Sequence, residues 1–310
     1  MNYLFNNQKE YTQSSISTSS ILTNKFINKT INKPINKLIT FSTCWYIMKS
    51  KFAATKYAMW IKNLLSIANN FNLVIYTDVN SLKMLIQLFD PTKQNIKIII
   101  KPLTEFYTYK YKDYWIKNHV SSTMELHKQI DWQLNMLWNE KPFFVQETIQ
   151  NKYFDTIYYG WCDIGYFRNG PDDTHTRLLS YWPSHLALFK EPFKTDYIHY
   201  GCIQENVLTY SSLSNDIKEH YKHRLKTPPT NKYTENCFAG GFFILKPEIS
   251  KYYTAIYDKK LQYYFEHNYF IKDDQFIVMD IIFTNPNMFY IHTENNSFYN
   301  NWFMFQRILS

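Results

Sequence analysis

The sequence predicts an α/β fold, a twisted and mostly parallel sheet flanked by helices, in a single domain (39–310) behind a low-complexity leader (1–38). Three observations predict it. Between residues 38 and 100, short β-branched and aromatic runs alternate with apolar residues at helical spacing, in the order strand–helix–strand–helix–strand. Such βαβαβ units form buried parallel sheets. Of 310 residues, 45% are apolar and 19% charged, a globular composition with chain enough for one large core. Before residue 38 the pattern fails: residues 24–39 read NKFI-NKTI-NKPI-NKLI behind a Ser/Thr-rich run, and Pro34 breaks any helix the repeat would make. The leader is therefore expected to be disordered or peripheral.

In chain order, LITFSTCWYI (38–47) reads as a buried strand, KYAMWIKNLLSIANNF (56–71) as a helix and LVIYTD (73–78) as a second strand. SLKMLIQLF (81–89) follows as a helix and IKIII (96–100) as a third strand. Ligands of such sheets bind beyond the carboxyl ends of the strands, which makes Thr43, Thr77 and Asp78 candidate site residues. Residues 105–135 match no element clearly. LNMLWNEKPFFVQETIQ (134–150) is helical with a boundary at Pro142, and TIYYGWCDIGYFR (156–168) is a strand ending in an acid and a glycine. HLALF (185–189) reads as a short strand among turns, and FAGGFFIL (238–245) as a strand opened by a glycine pair. Helices are expected over 251–268 and, opened by acids, over 272–283; the aromatic C-terminal end carries His292.

The formal charge of +8 is unevenly placed. Lys9, Lys25, Lys29, Lys33 and Lys37 against Glu10 put half of it in the first 40 residues. That concentration argues against a nucleic-acid face, which needs cations interleaved with stacking aromatics, and fits attraction of a small anionic substrate. The many Tyr, Phe, Asn, Lys and Ile match an AT-rich coding bias, so the tyrosine count carries no functional weight. Cys44, Cys162, Cys202 and Cys237 show no CxxC spacing, so thiols in a reducing compartment are expected. No run approaches the roughly 20 apolar residues of a spanning helix, and the N-terminus lacks a signal-peptide core. The expectation is a cytoplasmic protein; oligomeric state is not legible.

Three constellations bear chemistry. Asp163, in Trp161-Cys162-Asp163-Ile164-Gly165, sits at the mouth of the sheet, where a hard cation such as Mn²⁺ or Mg²⁺ would meet a diphosphate; a strand-end acid is also a common structural feature. Gly240-Gly241 opens an aromatic strand, for close approach of a ligand or for a simple bulge. Asp273-Asp274-Gln275 starts a helix, where the acids either cap it or face a reacting sugar as a base or charge stabiliser.

The order of these pieces resembles the GT-A glycosyltransferases, and is particularly similar to the HtrL/YibB-like family associated with bacterial surface-polysaccharide loci. Trp138-Asn139-Glu140-Lys141, the Asp163 motif with Arg168, Ala239-Gly240-Gly241 and Asp273-Asp274-Gln275 carry the resemblance over about residues 40–305. It implies a GT-A-like fold that binds a nucleotide-sugar donor and transfers the sugar to a glycan or other hydroxyl acceptor. By the same resemblance Asp163 holds the metal and Lys141 lies near the diphosphate, with Trp161 and Arg168 beside the donor. Gly240 and Gly241 lie against a sugar, Asp274 and Gln275 face the reacting carbon, and His292 is a late metal ligand. One departure stands out: the family's Asp-x-Asp is here Asp163-Ile164-Gly165, without its second carboxylate. The competing readings are a non-catalytic nucleotide-sugar or glycan-binding module, a nucleic-acid binder and a metal-dependent phosphohydrolase. The last needs a denser acid or His cluster than the sequence holds.

Overall fold

A computed structural model describes residues 37–226, 228–229, 236–296 and 298–310. Residues 1–36, nearly all of the expected leader, lie outside the described residues. Seven strands form one sheet: β1 (Ile39–Trp45), β2 (Asn72–Thr77), β3 (Ile96–Ile100), β4 (Tyr158–Cys162), β5 (Ile198–Gly201), β6 (Phe242–Leu245) and β7 (Phe289–His292). Their order is β3-β2-β1-β4-β6-β5-β7. The β1–β2, β2–β3, β1–β4 and β5–β7 pairs are parallel, and β6 alone runs against its neighbours β4 and β5.

The five inner strands are buried on both faces, while the edge strands β3 and β7 are partly exposed. In β1, Ile39, Phe41 and Trp45 enter the core on one side of the sheet, while Cys44 and the following Tyr46 enter the core on the other. The same alternation divides Leu73 and Ile75 from Val74 and Tyr76, and Phe242 and Ile244 from Phe243 and Leu245. This period of two, apolar on both sides, is the signature of a sheet between helical layers.

The main helices are α1 (Ala54–Ile67), α2 (Val79–Leu88), α3 (Lys112–Val120), α4 (Trp132–Asn139), α5 (Lys141–Gln150), α6 (Val207–His223), α7 (Pro247–Glu266) and α8 (Asp274–Thr284). Pro142 sits in the first turn of α5, where its missing N–H costs nothing, so the expected 134–150 helix is divided at Glu140. The Glu140 carboxylate accepts from Tyr107 N (2.6 Å), Thr108 N (2.9 Å) and Thr108 Oγ1 (2.6 Å), pinning the turns that follow β3. That network organises the stretch the sequence left unassigned.

Two elements correct the sequence reading. HLALF is not a strand: His185–Leu188 makes one helical turn that buries Ala187 and Leu188. Five residues are too few for periodicity to separate the two states. Within 170–235, read as turns and short strands, lies the 17-residue helix α6, capped by Asn206, whose side chain accepts from Leu208 N and Thr209 N. Among the described residues no helix is long and apolar enough to cross a membrane.

Candidate active site

Three elements bring charged residues to the carboxyl end of β4. Asp163 follows the strand directly, and its N–H donates to Gly241 O at 2.8 Å. Because β6 is antiparallel to β4, with Phe242 opposite Cys162, its beginning lies at β4's end and delivers Gly240 and Gly241 there. Helix α5 begins with Lys141 and α8 with Asp274.

Lys141 joins them. Its ammonium lies 2.9 Å from Asp274 Oδ2 and 3.2 Å from Asp163 Oδ1, and donates to Gly240 O at 2.8 Å. A cation in the first turn of a helix opposes the helix dipole, and burying it costs more still. The two carboxylates offset that cost. Burial alone would lower the Lys141 pKa, but Asp163 and Asp274 together hold it above its ordinary value. Burial pushes the Asp274 carboxyl up to about 6 and Asp273 and Asp163 add to the rise, against the pull of Lys141. Asp163 is the open member of the trio, its side chain 38% exposed against 9% for Asp274. Its Oδ1 also accepts from Trp161 Nε1 at 2.6 Å.

Neither acid of α8 behaves as a cap. Asp273 occupies the N-cap position without a side-chain cap bond, and Asp274 turns to Lys141. Gln275 is held at both ends, donating to Phe238 O (2.7 Å) and accepting from Asn236 Nδ2 (2.6 Å). It is a strut between α8 and the glycine segment. The glycines make the convergence possible: a Cβ on Gly240 would come within 2.8 Å of Gln275 Cγ and 2.9 Å of Asp274 Oδ2, and one on Gly241 within 3.1 Å of Asp163 Oδ2. The close approach expected of this pair is to the acids themselves.

Beside the trio opens a cleft of about 110 Å³, walled by the end of β1 (Cys44, Trp45, Tyr46) and the end of β4 (Trp161, Asp163). Tyr57, Trp60, Trp138, Lys141 and Arg168 complete most of the wall. Arg168 donates through Nε to Gly165 O (2.9 Å), with its guanidinium over the rings of Trp60 (4.6 Å) and Phe303 (5.1 Å). From β1 the chain builds β2 and β3 to one side, and β4 lies on the other, so the cleft sits where strand order reverses. Open α/β sheets bind ligands at that crevice.

No family model matches the chain, and no curated protein matches it. Solved structures resemble it in shape. Mouse xyloside xylosyltransferase 1 superposes with a TM-score of 0.44 at 14% identity, over 82% of this chain and 85% of that one. The galactosyltransferase LgtC, solved with donor and acceptor sugar analogues, gives 0.43 at 8%, over 83% and 73%. The mannosyltransferase Ktr4p of S. cerevisiae, in complex with GDP, gives 0.40 at 10%, over 91% and 80%. Likeness at this level describes shape and assigns no activity.

Of the sequence-derived candidates, Asp163, Lys141, Trp161, Gly240, Gly241, Asp274 and Gln275 come together, with Arg168 on the adjoining cleft wall. Thr43 does not: it is fully buried within β1, and Cys44 to Tyr46 reach the cleft instead. Asp78 caps α2, accepting from Ser81 N at 2.7 Å. His292 lies on β7, three strand positions from β4, roughly 14 Å at the usual strand spacing. Its Nε2 meets His199 Nδ1 at 3.1 Å and its ring stacks on Phe193, and among the described residues no carboxylate pairs with it. The sequence did not single out Trp60 or Lys51, whose ammonium lies over Trp138. Lone aromatics in a chain with 19% aromatic residues carry no signal until the fold gathers them.

A divalent ion does not fit the residues expected to hold it. Mn²⁺ and Mg²⁺ take a shell of oxygen ligands. Here the two carboxylates already share an ammonium, and among the described residues no three His, Cys, Asp or Glu side chains gather to hold an ion.

Proposed function

We propose that this chain is a glycosyltransferase that moves a sugar from a nucleotide-sugar donor to a glycan or other hydroxyl acceptor. The carrying observation is the convergence of Asp163, Lys141 and Asp274 beside a cleft at the topological switch point, with Arg168 on its wall. Motif order, which resembles the HtrL/YibB-like family, supports the same reading. In the transfer, the acceptor oxygen attacks the anomeric carbon and the bond from that carbon to the diphosphate oxygen breaks. Its electron pair stays on the departing diphosphate. The hydroxyl proton passes to Asp274, whose carboxyl, raised to about 6, is ionised at neutral pH and well matched to a proton from a reacting hydroxyl. Arg168 faces the diphosphate charge, and the open Asp163 oxygen accepts from a sugar hydroxyl. Gln275 braces the start of α8, and with it Asp274, through the bonds of its amide to Phe238 O and Asn236 Nδ2.

Calorimetry with a panel of nucleotide sugars, paired with turnover of the best binder, tests this reading. One donor is expected to bind, and Asp274→Asn to lower turnover by a factor on the order of 10² while donor affinity stays within a few-fold. Binding without any transfer would instead make the chain a recognition module. Near-normal turnover of Asp274→Asn would move the base elsewhere.

A further inference from the structure

The sequence resemblance brings a divalent ion to Asp163, and the geometry disagrees. Between Asp163 and Asp274, where an ion would bridge two carboxylates, stands the ammonium of Lys141 with all three of its N–H donors engaged, on Asp274, Asp163 and Gly240 O. The side chain is 7% exposed, and moving its ammonium aside would break all three of these contacts at once. The missing second acid of the Asp-x-Asp pattern has a physical cause in the same place. Position 165 has no room for a carboxylate, because even a Cβ there would approach Trp60 Cε3 to 2.8 Å, and Trp60 in turn carries the Arg168 guanidinium. Glycine at 165, tryptophan at 60 and lysine at 141 belong to one arrangement.

We propose that Lys141 fills the place of the divalent cation between the two acids and leaves the diphosphate charge to other cations, so that donor binding and transfer in this chain need no metal. The inference rests on the transferase reading for its substrate, but the ion's exclusion rests on geometry alone. The charge count is consistent with it. Asp163 and Asp274 against Lys141 leave one negative charge, Asp273 is offset by Lys272, and Arg168 on the cleft wall with Lys51 over Trp138 adds two positive ones. As the sugar–oxygen bond breaks, the charge gathering on the diphosphate is met by those two side chains, and Lys141 keeps its protons.

The direct test is titration of Mn²⁺ into the wild-type protein with no nucleotide present, followed by the electron paramagnetic resonance signal of the free ion. No binding is expected at millimolar Mn²⁺, or only binding that Asp163→Asn leaves intact. Tight binding abolished by Asp163→Asn overturns the proposal. Lys141→Ala is expected to gain a Mn²⁺ site, since it leaves two carboxylates facing one space; if that variant does not fold, the wild type and Asp163→Asn decide alone. UDP and GDP then serve as probes of the ligand-bound state, with affinities expected to agree within a few-fold in EDTA and in Mn²⁺. Strengthening of ten-fold or more by Mn²⁺ that requires Asp163 counts against it. Failure of every nucleotide sugar to bind would sink the transferase reading while leaving the ion titration interpretable.

Discussion

A methyl group at position 165 has nowhere to go. The Cβ of an alanine there would lie 2.8 Å from the Trp60 ring, which is itself buried and packed against Phe52 and Tyr57. Gly165→Ala is therefore expected to destabilise the fold by about 1–3 kcal/mol, the cost of overpacking a filled core. Urea midpoints measure it, and an unchanged midpoint would mean that Trp60 yields easily. The smaller ring of Trp60→Phe should recover part of the loss, at the expense of the platform under Arg168. The sequence showed Gly165 only as a glycine two residues past an acid; its close neighbour is a tryptophan more than 100 residues away. Lys141 is similar: the resemblance implied a place near the donor diphosphate, and its sharing between both acids depends on two helix starts meeting one strand end.

At the scale of elements, the strands were legible where burial on both faces made them near-continuous apolar runs, as in β1 and β2. Helix α6 was not, because much of its surface is polar and its buried residues Leu213 and Ile217 are thinly spread. Asn206 before it was the available signal. His292 shows the opposite failure, a residue type suggestive of metal whose setting is a strand edge. On the adjacent β5 and β7, burial holds His292 near about 4, and burial with the neighbouring His292 and Lys246 holds His199 near about 3. Above the ordinary histidine pKa of about 6.5 both are neutral, folded or unfolded, and contribute no pH dependence. As pH falls below it, the unfolded chain takes up protons that the folded one refuses, so stability declines, by up to about 1.4 kcal/mol per pH unit for each histidine. The decline runs down to about pH 4. Glu140, raised to about 7, and Asp274 act with the opposite sign over part of that window. The measurement is therefore a comparison: His292→Phe should flatten the acid slope of the urea midpoint relative to wild type at each pH. Equal slopes would mean that the pair titrates normally.

At the scale of the whole molecule, several hollows among the described residues compete for a ligand, and the small cleft at β1 and β4 has the best claim. The cavity lined by Glu105, Glu140, Lys251 and the Lys101–Glu147 ion pair measures about 380 Å³ against about 110 Å³ for the cleft at β1 and β4. Size alone would favour the former over the cleft, and would favour still more the open hollow of about 540 Å³ beside Lys218, Tyr221 and Lys260, which no strand residue lines. The charged groups of the Glu140 cavity, however, are committed to structure: Glu140 pins the Thr108 turn, and Lys101 is paired with Glu147. The cleft instead has an open acid, a guanidinium held on an aromatic platform and the carboxyl ends of two parallel strands. A bound nucleotide should therefore slow amide hydrogen exchange at Cys44–Tyr46, at Trp161–Gly165 and in the first turns of α5 and α8. It should leave β7 and the Glu105–Thr108 turns unchanged, because protection by a ligand follows the amides it covers or holds closed. Hydrogen-exchange mass spectrometry with UDP or GDP reads this directly. Protection centred on Glu140 and Lys251 would transfer the binding site to the larger cavity, and protection at His292 would restore that residue to the site. Protection confined to the ends of β1 and β4 ties the ligand to the point where strand order reverses, which is where the fold, before any side chain is considered, leaves a crevice.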